Sequence, residues 1–573
     1  MGTACTRESE RVAASQGLLI DGATPIFEKS FDVPRGGVLC AIPALLASGL
    51  LTGIKECFPK LTGYYNRLHI FLLLAYMALT RIKSVNNLQK HSPGELGNLM
   101  GLDRVPEVKR LRVKLEQLTR NNEPEKWSSL LSRKWMVDTP ELTGVLYVDG
   151  HMRIYNGGKT NLPRKFVSRQ RLCLPGILDF WVNDILGQPF FLVNRPINKG
   201  MIEALHTDIL PRLLKDIPNQ PSEEQLKADS SLCRFILVFD REGYSPKLFK
   251  DLWENHRIGC ITYHKYPKKL WAEDDFQKMD VFLPRINSTV SMKLASRETT
   301  IGTKKNEICE VLEIRKLNGR HQTSIVSTVK NETITKIAGL LFNRWSQENF
   351  FRYMMKHFAI DSLSEYGVEA FPATQTVINP EWRQLNKELK SLNAKLKTRH
   401  ANYTKLILAP DPDEKKMDKW ISAKAAVLEE IEQYKHSVTN TKTKLKGIKQ
   451  HIYWEDLPTE EKFMNLPSSL KCFTDTIKMI AFRAETSMMS IVREKYVRKD
   501  NIRDLLVALF KSDADIIPDK DSGTLTVRVH RMASNRDNEA ILHLLDHLNM
   551  TETNFPGTQL RLIYEMVGTE KKT

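Results

Sequence analysis

The chain has 573 residues, too many for one compact domain, and 41% of them are hydrophobic and 8% aromatic, which is enough apolar material for several cores. Lys and Arg outnumber Asp and Glu by 85 to 68, a formal charge of +17. That excess points to a polyanion such as nucleic acid, or else to a basic but otherwise ordinary enzyme. The apolar runs at 41–51 and 69–79 are shorter than the about 20 residues a bilayer-spanning helix needs, and no signal peptide is read, so no membrane partner is expected.

The eight cysteines, at 5, 40, 57, 173, 233, 260, 309 and 472, include no Cys-x-x-Cys pair. This argues against a zinc ribbon and suggests buried free thiols in a reducing compartment. The start Met1-Gly2-Thr3-Ala4-Cys5-Thr6 fits a myristoylation pattern, but such short patterns match often by chance.

Residues 1–38 have few apolar clusters and are expected to form a loose arm. Residues 39–138 are expected to be helical. Within them Ser92-Pro93-Gly94-Glu95 combines a cap, a first-turn Pro and an acid at the third position, so a helix should run from there to Gly101. A second helix follows, with Lys109, Arg110 and Arg112 around Val108, Leu111, Leu115 and Leu118. The pair over 84–118 suits either a helix-turn-helix whose basic second helix meets DNA or a plain helical bundle with a charged face.

From about 142 the pattern changes to strands. The run 144–149 ends in Asp149, 172–181 and 189–194 are further strands, and 199–217 is helical. The strand 234–239 is apolar from Phe235 to Phe239, as a strand buried on both faces requires, and it ends in Asp240. Ser245-Pro246 caps a helix to about 256, and 258–263 is a fifth strand. A β-rich stretch at 281–330 precedes a helix at 337–357. On that helix Arg344, Glu348, Arg352 and Lys356 stand four apart on one face. By itself this is a salt-bridged surface helix. A single acid in a basic stripe also suits phosphate chemistry.

Three strands, helix, strand, helix, strand and a late helix bearing Glu is the RNase H-like order. In that fold the first and fourth strands are neighbours, so Asp149 and Asp240 converge and the late helix brings Glu348 to them. Carboxylate oxygens suit Mg²⁺ or Mn²⁺, two ions per site. The basic loop 159–171, with Lys159, Arg164, Lys165, Arg169 and Arg171, follows the first acid and is a candidate for phosphate contact. So is His264-Lys265-Tyr266-Pro267-Lys268-Lys269. His151 could meet metal or DNA but suits a hydrogen-bonded turn better, and Trp271 and Trp345 suit core packing better than base stacking.

The residues 382–452 are expected to form a helical hairpin. Trp382, Leu385, Leu389, Leu392, Leu396 and Tyr403 keep heptad spacing, as do Val427, Ile431, Tyr434, Val438, Leu445, Ile448 and Ile452. The arms could pack on each other or on a second subunit. The tail is read as helices at 470–497, 501–511 and 538–548 with strands at 523–531 and 560–566.

The sequence resembles the cut-and-paste insertion-sequence transposases of the DDE class that carry a β-strand insertion between the second Asp and the Glu. Asp240-Arg241-Glu242 matches their Asp-Arg-Glu stretch. Arg344 and Glu348 match the spacing of their Tyr-Arg-Glu-Lys signature, with Leu341 at the Tyr position and Met355 at the Lys position. Lys356 falls one residue late, and Arg352 is a second stand-in. The resemblance is sharp near 147–155, 238–244 and 342–358.

It implies an α/β architecture with an RNase H-like core at 139–280 and 331–380 and an insertion at 281–330. A helical DNA-binding domain at 39–138, a hairpin at 381–455 and an α+β tail at 456–573 complete it. It further implies Asp149, Asp240 and Glu348 as catalytic metal ligands. DNA contacts would come from Arg344, Arg352, Lys356, Lys159, Arg164, Lys165, Arg169, Arg241, Lys109, Arg110 and Arg112. The implied activity is cleavage at transposon ends and joining of 3′ hydroxyls to target DNA by a homodimer in the bacterial cytoplasm. An RNase H-like nuclease or resolvase without strand transfer, and an inactive DNA-binding descendant, are the competing readings.

Overall fold

Strands β1 (Val145–Ile154), β2 (Arg164–Val167), β3 (Leu172–Asn183), β4 (Pro189–Pro196), β5 (Ile236–Phe239) and β6 (Gly259–Tyr263) form one part of a ten-stranded mixed sheet. Strands β7 (Gln277–Leu283), β8 (Ser288–Ile301), β9 (Cys309–Asn318) and β10 (His321–Ser327) continue it, in the order β2-β3-β1-β5-β6-β10-β9-β8-β7 with β4 also on β3. The first and fourth strands of the sequence reading, β1 and β5, are parallel neighbours with Val148 opposite Phe239. The β-rich stretch 281–330 is not a separate layer, because β10 pairs antiparallel with β6 and extends the same sheet.

The computed structural model describes residues 7–568 except 158–160, 168–170, 197–199, 268, 285–286, 363–375, 409–416, 460–461, 463, 465–467 and 497–500. These fall into two units, one made of Met1–Tyr155, Lys165–Gly367 and Pro467–Thr573, the other of Asn156–Arg164 and Val368–Leu466.

In the first unit, helix α1 (Pro246–His256) starts at Ser245, whose hydroxyl accepts from Leu248 N–H as the Ser-Pro pair predicts. The long helix expected over 337–357 is two helices, α2 (Ile334–Asn343) and α3 (Trp345–Tyr353), joined at Arg344 and followed by a π-helical turn from Met354 to Phe358. The break has an identifiable cause. Asn343 donates to Tyr147 Oη (3.3 Å) and Ile185 O (2.8 Å), and Tyr147 donates to Leu340 O (2.8 Å), which ties the end of α2 to the sheet.

The expected loose arm is partly ordered and packed. Residues Glu8–Ser15 form a helix whose flanking Arg7 donates to Gly101 O (3.0 Å), and Arg11 pairs with Asp103 at 2.5 Å. Strand Ser30–Val33 joins a second sheet with Ala514–Asp519, Thr524–Val529 and Arg561–Met566. The N-terminal segment and the tail therefore close one sheet between them.

The helix after Ser92 ends at Asn98, and Gly101 takes a left-handed backbone (φ +62°) where a Cβ would press on Ile26 N at 2.8 Å. The next helix, Val108–Leu118, buries Leu111, Leu115 and Leu118 and leaves Lys109, Arg110 and Arg112 exposed. A long helix, Ser469–Arg493, runs through the core and buries Phe473, Ile477, Ile480 and Met488.

In the second unit, α4 (Pro380–Leu408) and α5 (Met417–Gly447) pack on each other, with Arg399 and Glu430 paired at 2.5 Å. Strand Thr376–Ile378 pairs with His451–Tyr453. Seven cysteines lie in the described residues and all are free; Cys173 is exposed, against the expectation of burial. Its strand position at the exposed end of β3 accounts for this. Among the described residues no helix is long and apolar enough to cross a membrane.

Candidate active site

Side chains alternate across a strand, so Tyr147 and Asp149 share one face of β1 while Leu146 and Val148 share the other. Tyr147 belongs to a core cluster with Ile236, Val238, Ile261, Ile337, Leu340 and Leu341, the face of the sheet that α2 covers. Tyr147 pairs with Val238 and Val238 with Ile261. Two residues further on, the same alternation puts Asp149, Asp240 and Tyr263 in a row on that face, beyond the end of α2. The chain turns there at Arg344 and enters α3, which carries Glu348 in its first turn.

Arg344 gathers the acids. Its guanidinium lies 3.2 Å from Asp149 Oδ2, 3.9 Å from Asp240 Oδ1 and 3.8 Å from Glu348 Oε1. The last two distances run from the same nitrogen, so these two carboxylates are no farther apart than the two taken end to end. Arg344 is 10% exposed and Asp149 15%, whereas Asp240 and Glu348 are 42% and 43% exposed. The site therefore has a buried acid at its floor and two more open acids at its rim.

Burial pushes the Asp149 carboxyl up to about 6, with Asp240 and Glu242 adding to the rise and Arg344 and the Gly150 N–H opposing it. The Gly150 N–H donates to Asp149 Oδ1 at 2.9 Å. The neighbouring carboxylates hold the Arg344 guanidinium above its ordinary value against the pull of burial.

Asp149 is not at a strand end, as the sequence reading had it. β1 continues to Ile154 along β3, with Asp149 opposite Trp181; only the parallel pairing with β5 stops just before it. His151 is consequently a strand residue, not a turn residue. Its ring stacks on Phe351 of α3 at 5.3 Å, and burial pulls its pKa down.

The basic residues divide. Lys165 pairs with Glu242, one turn from Asp240. Arg241 lies over the Tyr263 ring at 5.4 Å. Arg352 and Lys356 are exposed, with Lys356 beyond the start of the π turn that breaks the strict four-residue spacing. Arg164 is exposed at the start of β2, and Lys159 and Arg169 lie outside the described residues. Trp271 packs beside Phe276 between Arg297 and Arg315, as the packing reading expects. His264 stacks on Tyr244 and lies 3.4 Å from Glu313, while Tyr266 is exposed.

Two residues of the site were not singled out in the sequence. Glu242 raises the Asp149 carboxyl and would sit 3.6 Å from a Cβ at position 150. It was visible in Asp240-Arg241-Glu242 but was read only as part of a motif. Tyr263 faces Arg344, whose guanidinium carbon is 5.9 Å from its ring centre. Its signal was its place at the end of the strand next to Asp240.

The sequence model of a family described as "transposase protein" matches residues 2–568, nearly the whole chain. The chain belongs to this transposase family. Neither a curated protein nor a solved structure matches it. Membership makes it a DNA-processing protein with DNA as its partner, in keeping with its net charge of +17.

Proposed function

We propose that this transposase is of the three-carboxylate, metal-dependent kind, with an RNase H-like core and with Asp149, Asp240 and Glu348 as its catalytic ligands. The observation that carries the reading is the single Arg344 guanidinium within 3.9 Å of all three carboxylates, which come from places far apart in the sequence. The neighbouring parallel strands β1 and β5 support it.

The residues fit a pair of Mg²⁺ or Mn²⁺ ions. The donors are hard oxygens, they are concentrated enough to need an internal cation, and the carboxylates at the rim are open to solvent. When bound, such ions lower the pKa of the attacking oxygen and neutralise charge that develops on the transferring phosphate.

The protein's own residues position the rest. Tyr147 and Asn343 hold the end of α2, and hence Arg344 and Glu348, against the sheet. Lys165, Arg241, Arg352 and Lys356 contact the DNA phosphates around the cleavage point, and Arg164, Lys159 and Arg169 are further phosphate contacts. Lys109, Arg110 and Arg112 on the helix Val108–Leu118 contact DNA farther from it, whether or not that helix reads bases. The reaction comprises two in-line phosphoryl transfers at a transposon end. In the first, water attacks and a 3′ hydroxyl leaves. In the second, that hydroxyl attacks a target phosphodiester and a target 3′ oxygen leaves. A homodimer that pairs two ends in the bacterial cytoplasm completes the reading.

The test is strand transfer by purified protein, with Mg²⁺, a pre-cut end bearing a free 3′ hydroxyl and a supercoiled target. Joined products support the reading. Nicking of uncut ends without any joining identifies a nuclease instead, and DNA binding without nicking or joining identifies an inactive descendant.

A further inference from the structure

A second cluster of metal-ligating side chains lies in the C-terminal part of the first unit and has no role in the phosphoryl transfer. His543 and His547 are one turn apart on helix α6 (Asn535–Asn549), so they project from the same face, and their ring centres are 4.4 Å apart. Glu494, at the C-terminal cap of the long helix Ser469–Arg493, faces them with Oε2 3.2 Å from His543 Nε2. One potential ligand atom from each of the three lies within 4.8 Å of the others.

The protonation pattern suits a metal. His547 Nδ1 is 2.9 Å from the backbone oxygen of His543. A carbonyl only accepts, so Nδ1 carries the proton and donates, which leaves the Nε2 lone pair of the neutral ring to bind a cation. A hydrogen bond of this kind from the other ring nitrogen is what orients metal-bound histidines. At His543, Nε2 faces a carboxylate, and a cation between the two would replace the shared proton.

We propose that Glu494, His543 and His547 form a site for a borderline divalent transition ion of the Zn²⁺ type, with solvent completing a tetrahedral shell. Two imidazoles and one carboxylate select this class over Mg²⁺, whose ligands are oxygens. Bonds of about 2.0–2.2 Å set tetrahedral ligand atoms roughly 3.3–3.6 Å apart, a separation that Glu494 Oε2 and His543 Nε2 nearly have at 3.2 Å. The ion staples the end of the long helix to α6 across a seam that Tyr496 and Asp537 already bridge at 2.8 Å. The long helix also carries Glu485, which binds Arg81 at 2.7 Å and accepts from Tyr353 of α3, the helix that bears Glu348. The site thus stiffens an element packed against the catalytic helix.

The experiment uses full-length protein with Asp149→Asn, Asp240→Asn and Glu348→Gln, so that the acid site takes no part. Co²⁺ is titrated in and the visible d–d absorption recorded, then displaced with Zn²⁺. One equivalent, with the intensity of a tetrahedral or five-coordinate complex, is expected. His543→Asn with His547→Asn should abolish it while circular dichroism is unchanged. In the same acid-site variant Zn²⁺ should raise the melting temperature, and adding the two histidine changes should remove that rise. No stoichiometric binding overturns the proposal. So does binding that survives the histidine changes, for instance binding lost instead with His530→Asn, which removes the separate Asp32, Asp515 and His530 cluster.

Discussion

Replacing Arg344 with Ala removes the guanidinium that, among the described residues, faces all three carboxylates. The pair with Asp149 dominates, because both groups are largely buried and 3.2 Å apart. At an effective dielectric constant of about 20, such a pair attracts with about 5 kcal/mol, and removing one member of a buried pair typically costs about 3–5 kcal/mol. Asp240 and Glu348 are more than a third exposed, so solvent screening limits their share to under about 1 kcal/mol each.

The Asp149 carboxyl titrates near 6 and would titrate higher without the guanidinium. It is therefore largely protonated at pH 5, and the loss of Arg344 should cost much less there than at pH 7.5. Millimolar Mg²⁺ or Mn²⁺ should also stabilise the variant more than the wild type, since the cation then has no internal competitor. Thermal and urea melts at the two pH values, with and without divalent ion, read both effects. A loss of stability equal at both pH values and indifferent to the ion would show that Arg344 matters only through packing.

Asp149→Asn should make stability less dependent on pH. The folded-state value of about 6 lies above the ordinary 3.8, so the folded protein holds the proton more tightly. Stability then falls as pH rises from about 4 to 6 and levels off above, by up to about 3 kcal/mol at 1.36 kcal/mol per pH unit; the Asn variant should lack that fall when melts are compared across the range. Tyr147→Phe, which loses the hydroxyl that links α2 to the sheet, should lower stability by about 1–3 kcal/mol and cleavage more than DNA affinity; unchanged cleavage would deny it a positioning role. DNA affinity should drop steeply with salt, as counterion release requires, and anisotropy titrations with a flat response would contradict the phosphate contacts assigned to the basic residues.

What was legible in the sequence follows from how local its signal is. Asp149 and Asp240 stand out because each interrupts an apolar run, and the parallel pairing of β1 and β5 is the arrangement expected of those runs. Ser245-Pro246 predicts its helix because capping is decided within four residues. The break between α2 and α3 was hidden, because it depends on Tyr147 and Ile185, more than 150 residues away from Asn343.

The ordered N-terminal segment escaped for the same reason. Ser30 pairs with Ile516, and Arg7 and Arg11 find their partners at Gly101 and Asp103. The strand Ala514–Asp519 was missed outright; Pro518 and the acids Asp515 and Asp519 are poor strand formers, and although one edge pairs with the next strand, Thr524–Val529, the other pairs with Ser30–Val33, which no local window contains. Glu348 was legible only through the motif, since a surface helix with four-residue charge spacing has the same appearance.

The most direct test of the three-carboxylate site is cleavage of a transposon end by the three single variants Asp149→Ala, Asp240→Ala and Glu348→Ala in Mg²⁺, with DNA binding followed on the same samples. Each variant should lose cleavage by a factor of about a thousand or more while keeping affinity for the end within a few-fold of the wild type. Near-normal cleavage by any one of them would take that carboxylate out of the site.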